Sequence, residues 1–363
     1  MVNNDRRLCS EPTSDCSARP SVNRRVLIAG LAATLAGFLE HDALRADSDV
    51  DLRFGVNLSV IDIDTAKVPF CSIKNEHHAT FVGHAFLPRY RTALVRDSVR
   101  RTLKALRDRN IGSIRCLLWF DKARSPSGDT CSVRDGDLLG DNLSEFAEDM
   151  SEAGLEQLMV AFSPQGIHSP SCRRTSWGDC FSESTVEQTA DFILDVRKGF
   201  NAPTRMSLWF DLINEGIPAN NLPEVIRMQF LTYMKSVVPL YRKNFPRDRI
   251  SASMQGGQIK DRLGYLLENF DHDGAGADFY SIHLYKSAGD ARSVLKDFFP
   301  TIAKRPRPLF IGEIENDRDY YLAVDAFLRE SVPREYRGIL VWPLHNPKNQ
   351  CAIDTEPRDI EFR

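Results

Sequence analysis

The sequence predicts an α/β fold, a single-domain (β/α)8 TIM barrel with long β/α loops and a shortened last helix. Eight short apolar segments alternate with amphipathic helical segments, a pattern that specifies a parallel sheet with helices outside it. Eight repeats favour closure into a barrel, and 363 residues that are 42% hydrophobic suit one barrel. No linker, repeat or low-complexity stretch divides the chain after residue 46.

The predicted strands are compact, mostly apolar segments whose lengths are typical of barrel strands. They are 54–58, 114–120, 157–162, 206–213, 250–254, 278–285, 309–313 and 338–342. The last of them is followed by only 21 residues, so we expect the eighth helix to be short.

The predicted helices lie between these strands. An apolar stripe runs from Val95 to Leu106 at helical spacing in the first helix. Asn142 and Ser184 are each followed three residues later by a glutamate, which is the spacing of an N-cap and its N3 acid. Pro223 opens the fourth helix at a position where proline costs no hydrogen bond. The remaining helices are predicted over 258–269, 291–302 and 320–329.

Residues 1–46 have the pattern of a secretory signal: a polar, arginine-rich start, an apolar run and a small residue, Ala46, at the expected cleavage site. Arg24 and Arg25 stand directly before the apolar run and indicate a twin-arginine export route. The alternative is an uncleaved membrane anchor, although 14 apolar residues are few for a span. The remainder, 47–363, is therefore predicted to be secreted or periplasmic, with no stable membrane span.

Charge and cysteine content exclude some classes of partner and site. The net charge of −3 offers no basic surplus for nucleic acid. Six cysteines remain after residue 46, and this even number permits disulfides in an exported protein. Cys172 and Cys180 bracket a short loop and are the best pair. Since no cysteine or histidine spacing matches a zinc site, structural zinc is not expected.

The carboxyl ends of the predicted strands carry most of the side chains that could do chemistry. In a (β/α)8 barrel these ends meet at one face, where active sites lie. Glu215 follows the fourth strand and Glu313 ends the seventh, so two carboxyl groups should face each other across the barrel mouth. Such a pair suits cleavage of a glycosidic bond, because one acid protonates the leaving oxygen while the other attacks or activates water.

The order and spacing of the strand-end motifs resemble a known clan. The motifs are Asn214-Glu215 after strand four, His283-x-Tyr285 on strand six, Glu313 on strand seven and Trp342 on strand eight. Over most of 54–343 the chain resembles the clan of (β/α)8 retaining glycoside hydrolases that includes the cellulases of family 5. It departs from the family 5 pattern at Ser163, which ends the third strand where a histidine is usual.

The resemblance implies a role for each matching residue. Glu215 would be the acid/base and Glu313 the nucleophile of a retaining mechanism. Asn214 would bind the sugar 2-hydroxyl, Tyr285 would donate a hydrogen bond to the nucleophile, and Trp342 would form the floor of the site.

Other side chains on the predicted strands are further candidates for the site or the core. The resemblance places Arg115 beneath the site, where its charge would favour the ionised nucleophile, although it could also be a buried ion-pair partner. Trp119 is a candidate for stacking on a sugar ring. His283 is either a substrate contact or a satisfied core histidine. Trp209, inside a strand, is expected to belong to the core.

Two acidic residues compete with the predicted pair. Asp211 is expected to point into the barrel or bond a neighbour in a structural role, and Glu315 is expected to lie past the seventh strand, in the loop.

The predicted function is that of a secreted, monomeric retaining glycoside hydrolase. It would cleave O-glycosidic bonds of a β-linked polysaccharide or oligosaccharide without a metal or cofactor. One alternative is a non-catalytic glycan-binding barrel that acts in polysaccharide export or processing. The other is a metal-dependent hydrolase, which would need histidine and aspartate ligands at the strand ends, where only His283 qualifies.

Overall fold

A computed structural model describes residues 54–59, 86–120, 136–164, 183–218, 223–257, 259–270, 276–286 and 290–342. Within them, strands and helices alternate along the chain. The strands are β1 (Phe54–Asn57), β2 (Ser113–Phe120), β3 (Gln157–Pro164), β4 (Ser207–Asp211), β5 (Ile250–Ser251), β6 (Met254–Gln255), β7 (Tyr280–Leu284), β8 (Leu309–Glu315) and β9 (Tyr336–Trp342). The helices are α1 (Ala93–Arg107), α2 (Gly136–Glu152), α3 (Glu183–Gly199), α4 (Glu224–Asn244), α5 (Ile259–Phe270), α6 (Ala291–Lys304) and α7 (Arg318–Ser331).

All the strands are parallel, in the order β5-β4-β3-β2-β1-β9-β8-β7-β6. The two ends of this ladder, β5 and β6, are consecutive pieces of one segment. Ile250 pairs with β4, and Met254 pairs with β7. The sheet therefore closes on itself through the segment 250–255, and the (β/α)8 fold expected from the sequence is confirmed.

The fifth strand differs from its prediction as one continuous strand over 250–254. The chain leaves the ladder at Ala252 and Ser253, between β5 and β6. The backbone N–H of Ser253 donates instead to the Asp211 carboxylate, 2.9 Å away. A side chain of β4 thus replaces the usual backbone partner at the point where the barrel closes.

Strand residues alternate between two apolar regions. Outward residues such as Val160 and Phe210 pack against the helices, in the larger core. A smaller cluster fills the inside of the barrel, and its members are Met159, Trp209, Phe279, Phe310 and Leu340. The prediction that Trp209 belongs to the core is therefore confirmed.

Strand β8 contains a bulge at Gly312. Ile311 pairs with Ile282 of β7, but the next β7 residue, His283, pairs with Glu313, so Gly312 is an extra residue on β8. Because side chains alternate along a strand, Phe310 inside the barrel would otherwise place Glu313 outside. The bulge restores Glu313 to the inside. The amide of Asn57 donates to the Gly312 carbonyl at 3.0 Å.

The start of the second helix was wrongly predicted. The helix α2 begins at Gly136, so Asn142 lies inside it and is not its N-cap. Asn142 is buried, and its amide donates to the carbonyl of Leu87 at 2.8 Å. A tertiary contact therefore accounts for this asparagine. Pro223 directly precedes α4, one residue from its predicted place.

A buried carboxylate, Asp149, joins α2 to α1. Arg96 and Arg100 of α1 donate to it at distances of 2.7 to 3.0 Å, and the Tyr90 hydroxyl donates at 2.6 Å. Burial tends to raise the pKa of Asp149, but these hydrogen bonds outweigh it and lower the pKa to about 2.

Some predictions concern residues outside the described ranges. These are the signal over residues 1–46, the Cys172–Cys180 pair and the short last helix. Among the described cysteines, Cys116 is a free, buried thiol, and burial raises its pKa to about 12. None of the described helices is both long enough and apolar enough to cross a membrane.

Candidate active site

The Arg115 guanidinium is at the centre of the candidate site. It is wholly buried inside the barrel. Its Nη1 donates to Glu313 at 2.7 Å, and its Nη2 donates to Asp211 at 2.9 Å. Burial lowers the pKa of Arg115, but the charges of Glu313 and Asp211 outweigh that effect and raise it. Arg115 is thus both a site residue and a buried ion-pair partner, the two roles that the sequence left open.

Glu313 is held at both carboxylate oxygens. Oε1 accepts from Arg115, and Oε2 accepts from the Tyr285 hydroxyl. Burial and the nearby charges of Glu313 and Glu215 raise the pKa of Tyr285 far above its usual range, so the hydroxyl stays protonated as a donor. The predicted contact between Tyr285 and the predicted nucleophile is present. Glu313 itself is only 4% exposed.

Glu215 lies in a turn just after β4, with a left-handed backbone at φ 51°. A residue other than glycine seldom adopts this conformation, and strain of this kind is concentrated at functional sites. Its N–H donates to the Ser253 hydroxyl at 2.9 Å. Its Oε2 accepts from the Gln255 amide at 2.9 Å, and its Oε1 lies 2.9 Å from Nδ1 of His283.

The two predicted catalytic carboxyl groups are close together. One oxygen from each of Glu215 and Glu313, with a ring nitrogen of His283, lie within 4.8 Å of one another. Nδ1 of His283 is 3.6 Å from Oε1 of Glu313, so the buried imidazole lies beside both acids. His283 therefore contacts the acid pair itself.

The remaining predicted residues lie at the same end of the barrel. Oδ1 of Asn214 accepts from Arg115 at 2.5 Å, which leaves the amide N–H groups of Asn214 available to donate. Trp342 ends β9 and is half-buried. Trp119 lies on β2 beside Ser163 of β3, and the position of its side chain is outside the described structure.

Of the two competing acids, Asp211 lies inside the barrel and Glu315 lies at the end of β8. Asp211 is fully buried and joins Arg115 to the Ser253 backbone, as its predicted structural role requires. Glu315 is not in the loop after the strand, so that prediction was wrong. It is the last residue of β8, and its carboxylate accepts from the N–H of Lys286 at 3.1 Å. The observed strand runs two residues past its predicted end at Glu313.

Sequence reasoning missed three residues of the site. Asn57 accepts from Arg115 at 2.9 Å through its side-chain oxygen, and Ser253 and Gln255 hold Glu215. Each of the three lies at the carboxyl end of a strand or just beside one. A systematic survey of polar residues at strand ends would have found Asn57 and Gln255, whereas Ser253 depends on the break between β5 and β6.

Glu215, His283 and Glu313 offer three donor atoms close enough to bind a metal ion. However, Arg115 and Tyr285 already donate to both oxygens of Glu313. A guanidinium 2.7 Å from Oε1 also repels any cation placed there. The contacts of this cluster suit proton transfer better than metal binding.

Similarity to solved structures agrees with this architecture. GH5_18 from Streptomyces cattleya, solved in complex with GlcNAc, matches with a TM-score of 0.51 and 13% identity, over 83% of this chain and 72% of that chain. At this identity the two proteins are similar in fold, a (β/α)8 barrel. The endo-β-1,4-glucanase Xac0029 from Xanthomonas axonopodis pv. citri matches with a TM-score of 0.48 and 14% identity, over 80% of this chain and 87% of that one.

The β-glycosidase BGL167 matches with a TM-score of 0.48 and 14% identity, over 80% of this chain and 86% of that chain. No protein-family model matches the sequence. No curated protein matches it either.

Proposed function

We propose that the protein is a secreted retaining glycoside hydrolase that cleaves a β-linked glycan. The observation that carries this proposal is the approach of the Glu215 and Glu313 carboxyl groups, whose oxygens come within 4.8 Å. Retaining enzymes hold their two carboxyl groups ~5–5.5 Å apart, whereas inverting enzymes need ~6.5–9.5 Å to admit a water molecule. The short separation supports double displacement.

The surroundings of each acid support the division of roles. Arg115 and Tyr285 donate to Glu313, and both contacts stabilise the carboxylate form that a nucleophile needs. Glu215 is the more exposed acid, with 19% of its side chain accessible against 5% for Glu313. It can therefore exchange a proton with a leaving group and then with water.

The proposed reaction has two steps. In the first, Glu313 attacks the anomeric carbon, the glycosidic bond breaks, and the departing oxygen takes the proton of Glu215. In the second, Glu215 removes a proton from water, and the resulting oxygen displaces Glu313 from the sugar. Each step inverts the anomeric carbon, so the two inversions together retain the anomeric configuration.

Three other side chains would bind the sugar. The Asn214 amide, oriented by Arg115, is proposed to donate to the 2-hydroxyl. Trp342, and Trp119 with it, is proposed to stack its indole on a sugar face. Aromatic faces and two acids suit a neutral polysaccharide. No step requires a metal or cofactor.

The test is hydrolysis of a panel of β-glucans, mannans and xylans by the wild type, Glu313→Gln and a matched control, Glu315→Gln. We expect Glu313→Gln to lose at least ~10⁴-fold in kcat, because the ester intermediate cannot form. Glu315→Gln should stay within ~3-fold, since Glu315 lies on the same strand and its carboxylate accepts from the Lys286 N–H instead of contacting either predicted catalytic acid.

Equal activity of the wild type and Glu313→Gln would remove the nucleophile assignment. An inverted product, seen by NMR at early times, would remove the retaining mechanism. If the purified protein binds these glycans but hydrolyses none of them, the non-catalytic alternative takes the place of this proposal.

We propose further that residues 1–46 direct export and are removed near Ala46. N-terminal sequencing of the protein from culture medium or periplasm tests this. A mature chain that still begins at Met1 would contradict the proposal.

A further inference from the structure

The irregular segment between β5 and β6 holds Glu215 at two points. Ser253 accepts from the Glu215 N–H and so fixes the left-handed backbone. The Ser253 backbone is bound in turn to Asp211, which is bound to Arg115. The turn that carries Glu215 is therefore tied to the buried charges inside the barrel.

Gln255 binds the carboxyl group of Glu215, whereas Ser253 binds its backbone. It pairs in register with His283 across β6 and β7, so the two side chains reach the carboxyl group side by side. The Gln255 amide donates to Oε2, and Nδ1 of His283 lies at Oε1, both at 2.9 Å. Both oxygens are thus held by side chains from neighbouring strands.

We propose that Gln255 is a positioning residue for the acid/base, an inference that rests on the function proposed above. An amide N–H can only donate a hydrogen bond, so Oε2 of Glu215 must accept. The transferable proton is then carried on Oε1. During bond cleavage it passes from Oε1 to the departing oxygen, which also receives the electron pair of the broken C–O bond.

Loss of Gln255 should therefore impair protonation of the leaving group and leave nucleophilic attack by Glu313 intact. Without its amide partner, the Glu215 carboxyl group can rotate and carry its proton on either oxygen. A leaving group that departs readily as an anion needs no proton, so this defect should depend on the leaving group. A purely structural defect would slow all substrates alike.

The test compares the wild type with Gln255→Met, which keeps the side-chain length but has no donor. The substrates are two aryl β-glycosides of one sugar, a dinitrophenyl glycoside and a phenyl glycoside. We expect kcat/KM to fall by ~10–100-fold for the phenyl glycoside and by less than ~3-fold for the dinitrophenyl glycoside. Equal losses on both substrates would overturn the proposal.

Gln157→Met is the matched control. Gln157 lies on β3 and accepts from the Ser113 hydroxyl at 2.7 Å, at the strand end far from Glu215. This variant also loses a side-chain hydrogen bond, but it should not change the ratio of the two rates. If Gln255→Met does not fold, Gln255→Asn replaces it, because its amide is one methylene too short to reach Oε2.

A crystal structure of Gln255→Met decides the positioning claim without any substrate. We expect the Glu215 carboxyl group to move away from Nδ1 of His283. An unmoved carboxyl group would overturn the proposal even if the enzyme is active. If the wild type hydrolyses no glycoside, the proposed function fails by itself, and this structure still decides whether Gln255 positions Glu215.

Discussion

Gly312→Ala tests whether the bulge in β8 positions Glu313. A Cβ atom at this position would overlap the Ser281 hydroxyl oxygen and would lie 3.0 Å from Nε2 of His283. Both neighbours are fully buried on β7, so they cannot swing into solvent. The added methyl group therefore has to push β8 away from β7 or open the bulge.

These contacts set the expected losses of stability and of activity in Gly312→Ala. Overpacking a close-packed interior costs ~1–3 kcal/mol in the free energy of unfolding. A displacement of Glu313 by ~1 Å would cost ~100-fold in activity, since reacting groups must be held in an attack geometry. We therefore expect Gly312→Ala to lower the free energy of unfolding, measured in urea, and the activity, measured as the initial rate on the best substrate of the panel.

Ser281→Ala should act as a suppressor of Gly312→Ala. The Ser281 hydroxyl has no hydrogen-bond partner among the described residues, so its removal alone should cost little. In the double variant the added methyl group no longer meets the Ser281 oxygen. We therefore expect the free energy of unfolding to recover by at least ~1 kcal/mol, as a coupling energy between the two positions.

Gly264→Ala is the control for glycine substitution as such. It lies in α5, and no atom comes within 4 Å of a Cβ built there. We expect it to stabilise the protein by ~0.5–1 kcal/mol, because alanine is the better helix former. Wild-type stability and activity in Gly312→Ala would refute the reasoning about the bulge, as would a double variant no more stable than Gly312→Ala.

Three further predictions concern other buried groups of the molecule. Because the pKa of Asp149 is lowered to about 2, its contacts should contribute ~2–3 kcal/mol to the free energy of unfolding above pH ~4. This contribution should be lost as the pH falls towards ~2. Urea unfolding across this range should show the loss in the wild type and not in Asp149→Asn. Arg115→Met should lower the free energy of unfolding by ~3–5 kcal/mol, because Asp211 and Glu313 stay buried without their cation. Adding Asp211→Asn to this variant should recover part of the loss. A double variant no more stable than Arg115→Met would contradict this. The Cys116 thiol, whose pKa burial raises to about 12, should react with thiol reagents near pH ~8 only on unfolding, and prompt labelling would contradict its burial.

The barrel itself could be predicted from the sequence because its strands are mostly apolar and separated by helical stripes. Every predicted strand overlaps an observed one, and the segments containing Arg115, His283 and Glu313 were placed on the correct strands. The alternation of strand and helix is a local pattern, and local patterns determine parallel topology.

The helix starts were harder to predict, for a physical reason. The Asn142–Glu145 spacing imitates a helix N-cap, but Asn142 bonds the Leu87 carbonyl from inside α2. A polar side chain can serve a cap or a distant partner equally well. Only the fold shows which partner is near.

The sequence by itself determined the (β/α)8 fold and the strand ends at which Glu215 and Glu313 lie. It also predicted that the two acids share the barrel mouth, but only the tertiary structure decided how each of them is turned inward and held. A bulge at Gly312 turns Glu313 inward, and a break in the fifth strand lets Ser253 and Gln255 hold Glu215. Both features depend on register between strands far apart in the chain. A one-residue change in register reverses which face a side chain occupies, and no local sequence pattern specifies that change.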